Sequence, residues 1–141
     1  MNKENILSKI SKMSEEELKA LARSTSDVEA LNILAENENY EVRCTVAKNK
    51  NTPVELLAVL AQDEDYWVRW AVALNKNTSV EVLAVLAKDE VYEVRYAVAG
   101  NPNIPLNALE TLADDEDLQV SEKAGDVLKE RKEKGKPNME R

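Results

Sequence analysis

Three arginines recur at equal spacing along the chain. Arg43, Arg69 and Arg95 each follow a valine, and successive copies are 26 residues apart. A guanidinium group presents a planar fork of donors that matches a carboxylate or a phosphate, so a column of them could bind anions. Each arginine also follows an acid or an amide by six residues. These acceptors are Asn37, Asp63 and Asp89. Because each unit supplies its own acceptor, we interpret the column as a structural ladder rather than an anion site.

Glutamates and asparagines form two further columns with the same period. The glutamates are Glu29, Glu55 and Glu81, and the asparagines are Asn49, Asn75 and Asn101. The glutamates could form a carboxylate row for a metal or for catalysis. However, each stands three residues after a Ser or Thr, which predicts a capping box at a helix start. The asparagines stand where a left-handed C-cap or a turn is needed, and recognition of a peptide backbone is the alternative.

The two tryptophans break the period. The positions equivalent to Trp67 and Trp70 hold other residues in the neighbouring units, and repeat proteins specify function at such variable, solvent-facing positions. Large exposed aromatic side chains suit a binding hot spot. The predicted binding surface consists of Trp67, Trp70, Leu74, Tyr96, Glu41 and Glu93. The alternative is that Trp70 fills space between neighbouring helices, whereas the recurring tyrosines Tyr40, Tyr66 and Tyr92 belong to the scaffold.

The composition argues against catalysis. The chain contains no histidine, which removes the commonest general base and the commonest transition-metal ligand. Cys44 is the only cysteine, so no intramolecular disulfide or thiolate cluster can form. Carboxylate pairs of the glycosidase type are available, but short helix pairs offer no deep pocket. We therefore predict no enzyme, no metal and no cofactor, and interpret Cys44 as an ordinary small side chain.

The charge distribution favours a basic protein partner. The net charge is -8, and the segment 129–141 carries six Lys or Arg against three Glu, which leaves -11 for the rest. Such a body repels phosphate backbones, which argues against direct nucleic-acid binding, and it attracts basic surfaces. The amino-terminal residues contain no apolar run of the length of a signal peptide or a membrane span. We expect a cytoplasmic protein without a membrane partner, either a monomer or a weak homo-oligomer.

The columns belong to a 26-residue repeat, with units at 25–50, 51–76, 77–102 and 103–128. Each unit predicts two helices. The first helix starts at Thr52 or its equivalent and runs about ten residues. It is apolar nearly all round, so it needs burial on several sides, which stacked repeats provide. The second helix covers Tyr66 to Leu74, with Val68, Ala71 and Val72 on the core face.

The chain ends differ from the repeat. Residues 1–24 predict a helical cap that starts its second helix at the capping box of Ser14 and Glu17. The last unit replaces Arg by Ser121 and predicts a carboxyl-terminal cap. Residues 129–141 form a charged tail, for which we predict fraying.

The repeat resembles the leucine-rich repeat variant family, which is related to HEAT and armadillo repeats. The resemblance rests on the pattern from Asn51 through Thr52, Pro53 and Glu55 to Arg69, and it covers 25–128. It implies an all-α solenoid with a right-handed superhelix, second helices that are often short, and a role as an interaction platform. In HEAT-like repeats, Asp–Arg pairs form a ladder that ties adjacent units together. A cysteine-rich iron–sulfur segment sometimes precedes such repeats, but no equivalent cysteines are present here.

The sequence therefore predicts a non-catalytic protein–protein interaction scaffold that binds its partner on the acidic and aromatic surface of the second helices. Two alternatives remain. One is a nucleic-acid-linked role, either as an acidic DNA mimic or through phosphate binding by the arginine column. The other is a purely structural spacer.

Overall fold

A computed structural model describes residues 2–135, which form ten α-helices and no strand. The helices are α1 (Lys3–Ile10), α2 (Glu15–Ser24), α3 (Val28–Leu34), α4 (Tyr40–Lys48), α5 (Val54–Leu60), α6 (Tyr66–Leu74), α7 (Val80–Leu86), α8 (Tyr92–Gly100), α9 (Leu106–Leu112) and α10 (Leu118–Gly135). From α3 onward, each repeat contributes a first and a second helix. The observed bounds of α6 are those predicted from the sequence.

The second helices form one continuous layer. Helix α2 packs on α4, α4 on α6, α6 on α8 and α8 on α10, while each first helix packs on the second helix of its own repeat. Neighbouring repeats are therefore joined mainly through this layer, as expected for a one-dimensional stack. This arrangement confirms the predicted all-α fold of repeated helix pairs. The handedness of the superhelix stays a prediction.

The first helices start later than predicted. Thr52, the predicted N-cap, is buried, and its hydroxyl donates to the carbonyl of Val46 at 2.6 Å. The N-cap is Pro53, which has no side chain to accept a hydrogen bond, and the predicted capping box with Glu55 does not form. Thr78 makes the same hydroxyl contact one repeat later. The threonine column therefore ties the end of one second helix to the start of the next first helix.

The first helices are also shorter than predicted, with seven residues instead of about ten. Main-chain bonds from Gln62 to Val59 and from Asp63 to Leu60 tighten the chain after α5. These bonds span three residues, so the helix closes in a tight turn that leads directly into the acid position.

The core is built from leucines of the first helices and valines of the second helices. The most deeply buried side chains include Leu31, Leu34, Leu57, Leu83, Leu86, Leu109, Leu112, Val42, Val46, Val68, Val72 and Val94. The prediction that the first helix is buried on several sides was too broad, because Val54 and Val59 are exposed. A stack that is joined through its second helices leaves the outer side of the first helices in solvent.

The two ends of the described chain are helical. Ser14 and Glu17 form the predicted capping box at the start of α2, and Ile6 and Ile10 of α1 join the core. Helix α10 continues to Gly135, so the predicted fraying from residue 129 is wrong for 129–135. The reason is partly a tertiary contact, since Arg131 donates to the carbonyl of Ile104 at 2.8 Å. Residues 136–141 of the predicted tail lie outside the described residues.

Candidate functional site

Each arginine of the column joins two consecutive repeats. The Nε and Nη2 groups of Arg69 donate to the two carboxylate oxygens of Asp89 at 2.7 and 3.2 Å. Its Nη1 group donates to the carbonyls of Asp63 and Glu64. The other two pairs are Arg43 with Asp63 and Arg95 with Asp115. The carboxylate partner therefore comes from the next repeat, 20 residues later, whereas the sequence interpretation placed it six residues earlier.

This geometry leaves the arginine column little capacity for phosphate. The three side chains are between 12% and 18% exposed, and each uses four N–H donors within the protein. The hydrogen bond that each arginine donates to its aspartate raises the pKa of the arginine, although desolvation opposes the shift. A phosphate could bind only by breaking a junction between repeats.

The acid position also closes a turn within its own repeat. Asp63 Oδ1 accepts a hydrogen bond from the main-chain N–H of Asp65 at 2.9 Å. Asn37 accepts the equivalent bond from Asn39, also at 2.9 Å. Either an amide or a carboxylate can thus close this turn, but only a carboxylate can also pair with an arginine.

The asparagine column forms a second ladder, which the sequence interpretation missed. Asn75 is buried, and its amide nitrogen donates to the carbonyls of Ala47 and Asn49 in the preceding repeat at 2.8 and 3.2 Å. Its Oδ1 accepts from the N–H of Asn77. Asn101 makes the same contacts with Ala73 and Asn75, and Asn49 donates to the carbonyls of Ala22 and Thr25 at the end of α2. All three asparagines have extended rather than left-handed backbone. The predicted left-handed cap is therefore wrong, and the amides are not free for peptide recognition.

The predicted aromatic residues meet in one open groove on the layer of second helices. We call this space, of about 550 Å³, the aromatic groove. Its lining comprises Trp67, Trp70, Tyr92, Glu93, Tyr96, Gln119, Glu122, Lys123 and Asp126. The rings of Trp67 and Trp70 meet edge to face, with centroids 5.3 Å apart. Trp67 is exposed at 37%, whereas Trp70 is half-buried against the core, and the role of the pair in binding stays a prediction.

Two of the predicted surface residues lie beside this groove. Leu74 lines an adjoining apolar groove that also contacts Trp70, Tyr96 and Lys123. Glu41 lies on the other side of Trp67, in a groove of mixed charge, where it is 3.6 Å from Lys19 Nζ. The structure thus brings together four of the six predicted residues and leaves the other two at the edges.

The family comparison agrees with this architecture. The family model described as leucine rich repeat variant matches residues 40–65 and 92–117. Each match starts at a second helix and ends just before the next second helix. It therefore includes one arginine, the asparagine turn that follows the second helix, and the aspartate turn that follows the first helix. The two matched segments are similar to leucine-rich-repeat-variant (LRV) repeats.

Among the solved structures that are similar to the chain is one repeat protein. It is described as a leucine-rich repeat variant with a novel repetitive protein structural motif, and it is 22% identical in sequence. The match covers 89% of this chain and 60% of that one, with a TM-score of 0.47. The chain thus spans less than two thirds of the length of that structure. Among curated proteins, none matches the chain.

The structure places several residues in the groove that the sequence interpretation assigned elsewhere or omitted. Tyr92 was assigned to the scaffold because it recurs, yet it is 38% exposed and lines the groove. Gln119, Lys123 and Asp126 come from α10, which has drifted from the repeat pattern. A signal was available for Gln119 and Asp126, which stand 26 residues after Glu93 and Gly100, whereas Lys123 stands 26 residues after the buried Ala97, so the repeat placed it on the core face. The spacing of 26 residues, rather than a sequence motif, relates these positions to the preceding repeat.

Cys44 lies at the Trp70 position of its own LRV repeat. It is half-buried, and its thiol lies 3.5 Å from the carbonyl of Trp67. Desolvation raises the pKa of the thiol, with a smaller opposing effect of Lys48. A raised pKa lowers the thiolate fraction and hence the reactivity.

None of the described helices has the length and apolar character to cross a membrane.

Proposed function

We propose that this chain is a non-catalytic protein–protein interaction scaffold that binds its partner on the acidic and aromatic surface of the second helices. One observation carries the proposal. The residues that stay constant between repeats build the ladders and the core, whereas the tryptophans, which are unique to one repeat, line an open groove. Constant positions hold the repeats together, so the choice of partner can be determined by variable positions on a shared surface.

The composition of the groove supports a protein partner. Tryptophan and tyrosine are enriched among residues that dominate binding energy, because they bury a large area at a small cost in side-chain entropy. Glu93, Glu122 and Asp126 surround them and give the groove an acidic rim. An acidic rim accelerates association with a basic surface and disfavours acidic competitors.

The chemistry-bearing columns support a role without catalysis. The arginines and asparagines are engaged between repeats, and both ladders would have to break to serve a reaction. Because these contacts use the donors of the arginines, they also argue against phosphate binding by the arginine column. The acidic rim repels nucleic acid, so the proposed partner is a protein or peptide with basic character.

A comparison of two double variants tests the proposal. Trp67→Ala with Trp70→Ala removes the centre of the groove. Val59→Ala with Val85→Ala truncates two valines that are each 66% exposed on the first helices, and it serves as the matched control. Each variant and the wild type is used to capture proteins from a lysate of the native host. We expect a partner that is held by the wild type and the valine variant but lost by the tryptophan variant. Equal retention by both variants would contradict the proposed surface.

A further inference from the structure

The aromatic groove combines the two features that attract an organic cation. Four aromatic side chains line it, namely Trp67, Trp70, Tyr92 and Tyr96. Three carboxylates line it as well, namely Glu93, Glu122 and Asp126. None of these carboxylates lies within ion-pair distance of a cationic side chain of residues 2–135. Aromatic faces and carboxylates both stabilise an ammonium or guanidinium group, and they do so most strongly when they act together in a partly desolvated site.

The protein already places its own ammonium groups on these rings. Lys123 Nζ lies 5.8 Å from the centroid of Tyr96, inside the groove. Lys48 Nζ lies 4.7 Å from the centroid of Trp70 and approaches it from the neighbouring mixed-charge groove. Both distances are within the range over which a ring attracts a cation. The rings are thus oriented so that a cation can reach their faces.

Lys123 is the one cation among the residues that line the aromatic groove. Its aliphatic stem passes over Gly100, where an added Cβ would lie 3.2 Å from Lys123 Cε. The positions equivalent to Gly100 in the two preceding repeats hold Lys48 and Leu74. Of these three positions, only Gly100 has no side chain and leaves room for the stem of a lysine. Lys123 carries no ion pair with the described residues, so its ammonium can leave the groove without breaking a salt bridge.

We propose that the aromatic groove binds a lysine or arginine side chain of the partner, and that Lys123 is a displaceable internal competitor for this site. This inference rests on the proposed function and adds to it the chemical group that the partner inserts. The incoming cation occupies the space between the tryptophan and tyrosine faces and the carboxylates of α8 and α10. The ammonium of Lys123 moves out to solvent, where its long stem lets it be hydrated.

The two tryptophans give a direct readout, because they are the only tryptophans of the chain and both line the groove. The probe is a short acetylated and amidated glycine peptide with one central lysine. The matched control peptide carries norleucine, which keeps the aliphatic chain and removes the charge. We expect a saturable change of tryptophan fluorescence with the lysine peptide, and binding of the norleucine peptide weaker by about tenfold. Equal binding of the two peptides would overturn the cation site.

Charge variants on α10 test the competitor. Lys123→Gln should strengthen binding of the lysine peptide by about threefold or more, since it removes the internal cation. Lys129→Gln removes the same charge from an exposed position of the same helix, outside the groove, and should have little effect at physiological salt. Glu122→Gln should weaken binding. Equal effects of Lys123→Gln and Lys129→Gln would reject the competitor.

The two proposals fail in different ways. If partner capture depends on Trp67 and Trp70 but the lysine and norleucine peptides bind alike, the surface stands and the cation site falls. If the lysine peptide binds selectively but partner capture does not depend on the tryptophans, the groove recognises a cation and the proposed role of the groove in partner binding falls.

Discussion

Arg69 Nε donates to Asp89 Oδ2 at 2.7 Å across the junction between two repeats. The same guanidinium group holds two main-chain carbonyls of its own repeat, so a single side chain fixes the spacing and the orientation of both units. Its side chain is 18% exposed and that of Asp89 only 8%. A buried, bidentate pair of this kind depends on the planar fork of arginine, which lysine does not have.

Arg69→Lys should therefore destabilise the protein although the charge is kept. Lysine retains one contact at most and leaves the other three of the four acceptor atoms without this donor, which predicts a loss of about 1–3 kcal/mol. Urea unfolding followed by circular dichroism measures this loss. Arg23→Lys, at an exposed position of α2, is the control and should change the free energy of unfolding by less than about 0.5 kcal/mol. Similar losses in both variants would show that the bidentate geometry does not matter.

The pair of Arg95 and Asp115 should give the stability a defined dependence on pH. Desolvation raises the pKa of Asp115, but the hydrogen bonds from Arg95 and from the N–H of Asp117 outweigh it, and the pKa is lowered. A lowered pKa in the folded state means that the unfolded state binds more protons in acid. The stabilisation is therefore complete above the unfolded-state pKa of about 3.9 and is lost as the pH falls through the lower folded-state value.

Asp115→Asn tests this dependence. The free energy of unfolding of the variant should fall below that of the wild type by a constant amount between pH 5 and 7, and the difference should shrink below about pH 4. Urea titrations at a series of pH values give both curves. A difference that persists unchanged at the lowest pH would mean that the carboxylate charge does not contribute.

Asn75→Ala should be among the most damaging substitutions of a polar residue. It removes the donor for the carbonyl of Ala47, which is then buried without a partner, and one of the two donors for the carbonyl of Asn49, which keeps the N–H of Thr52. The expected loss is about 2–4 kcal/mol in the free energy of unfolding. Asn32→Ala, on the exposed side of α3, is the matched control and should be neutral or slightly stabilising because alanine favours a helix. A neutral Asn75→Ala would show that the second ladder carries no stability.

Substitution of two helical glycines by alanine tests whether Lys123 lies beside Gly100. A Cβ at Gly125 meets nothing within 4 Å, so Gly125→Ala should stabilise the protein by about 0.5–1 kcal/mol through helix propensity alone. Gly100 is the last residue of α8, so Gly100→Ala gains less from helix propensity, and Lys123 Cε must also move by a few tenths of an ångström. We expect a smaller gain for Gly100→Ala in thermal melts. An equal or larger gain would place Lys123 away from Gly100.

The second helices could be predicted from the sequence because their signals are local. The bounds of α6, the buried Val68 and Val72, and the capping box of Ser14 all follow from periodicity and from cap residues within one turn. The arginine column was also visible, since its residues recur. It was interpreted as a structural ladder, and the structure places each guanidinium against an aspartate of the next repeat.

The remaining errors concern contacts between repeats. A period of 26 residues does not determine which residues of one repeat contact which residues of the next. An arginine that is six residues after one aspartate is also 20 before the next, and spacing alone does not choose between them. Thr52 matched a cap pattern, but the carbonyl of Val46 competes for its hydroxyl, and that partner is set by the stacking. The aromatic groove spans α6, α8 and α10, so its membership depends on three helices that the sequence places only one at a time.

The direction of the arginine ladder has a consequence for self-assembly. Every junction runs from an arginine in one repeat to an aspartate in the next, so the stack has a donor end and an acceptor end that would fit each other. At the first repeat, the acid position holds Asn37, which closes its turn without a carboxylate. At the last, the arginine position holds Ser121. Helices α1 and α2 cover the first repeat, and neither Asn37 nor Ser121 can form the arginine–aspartate pair, so this pair could not join a second copy stacked head to tail.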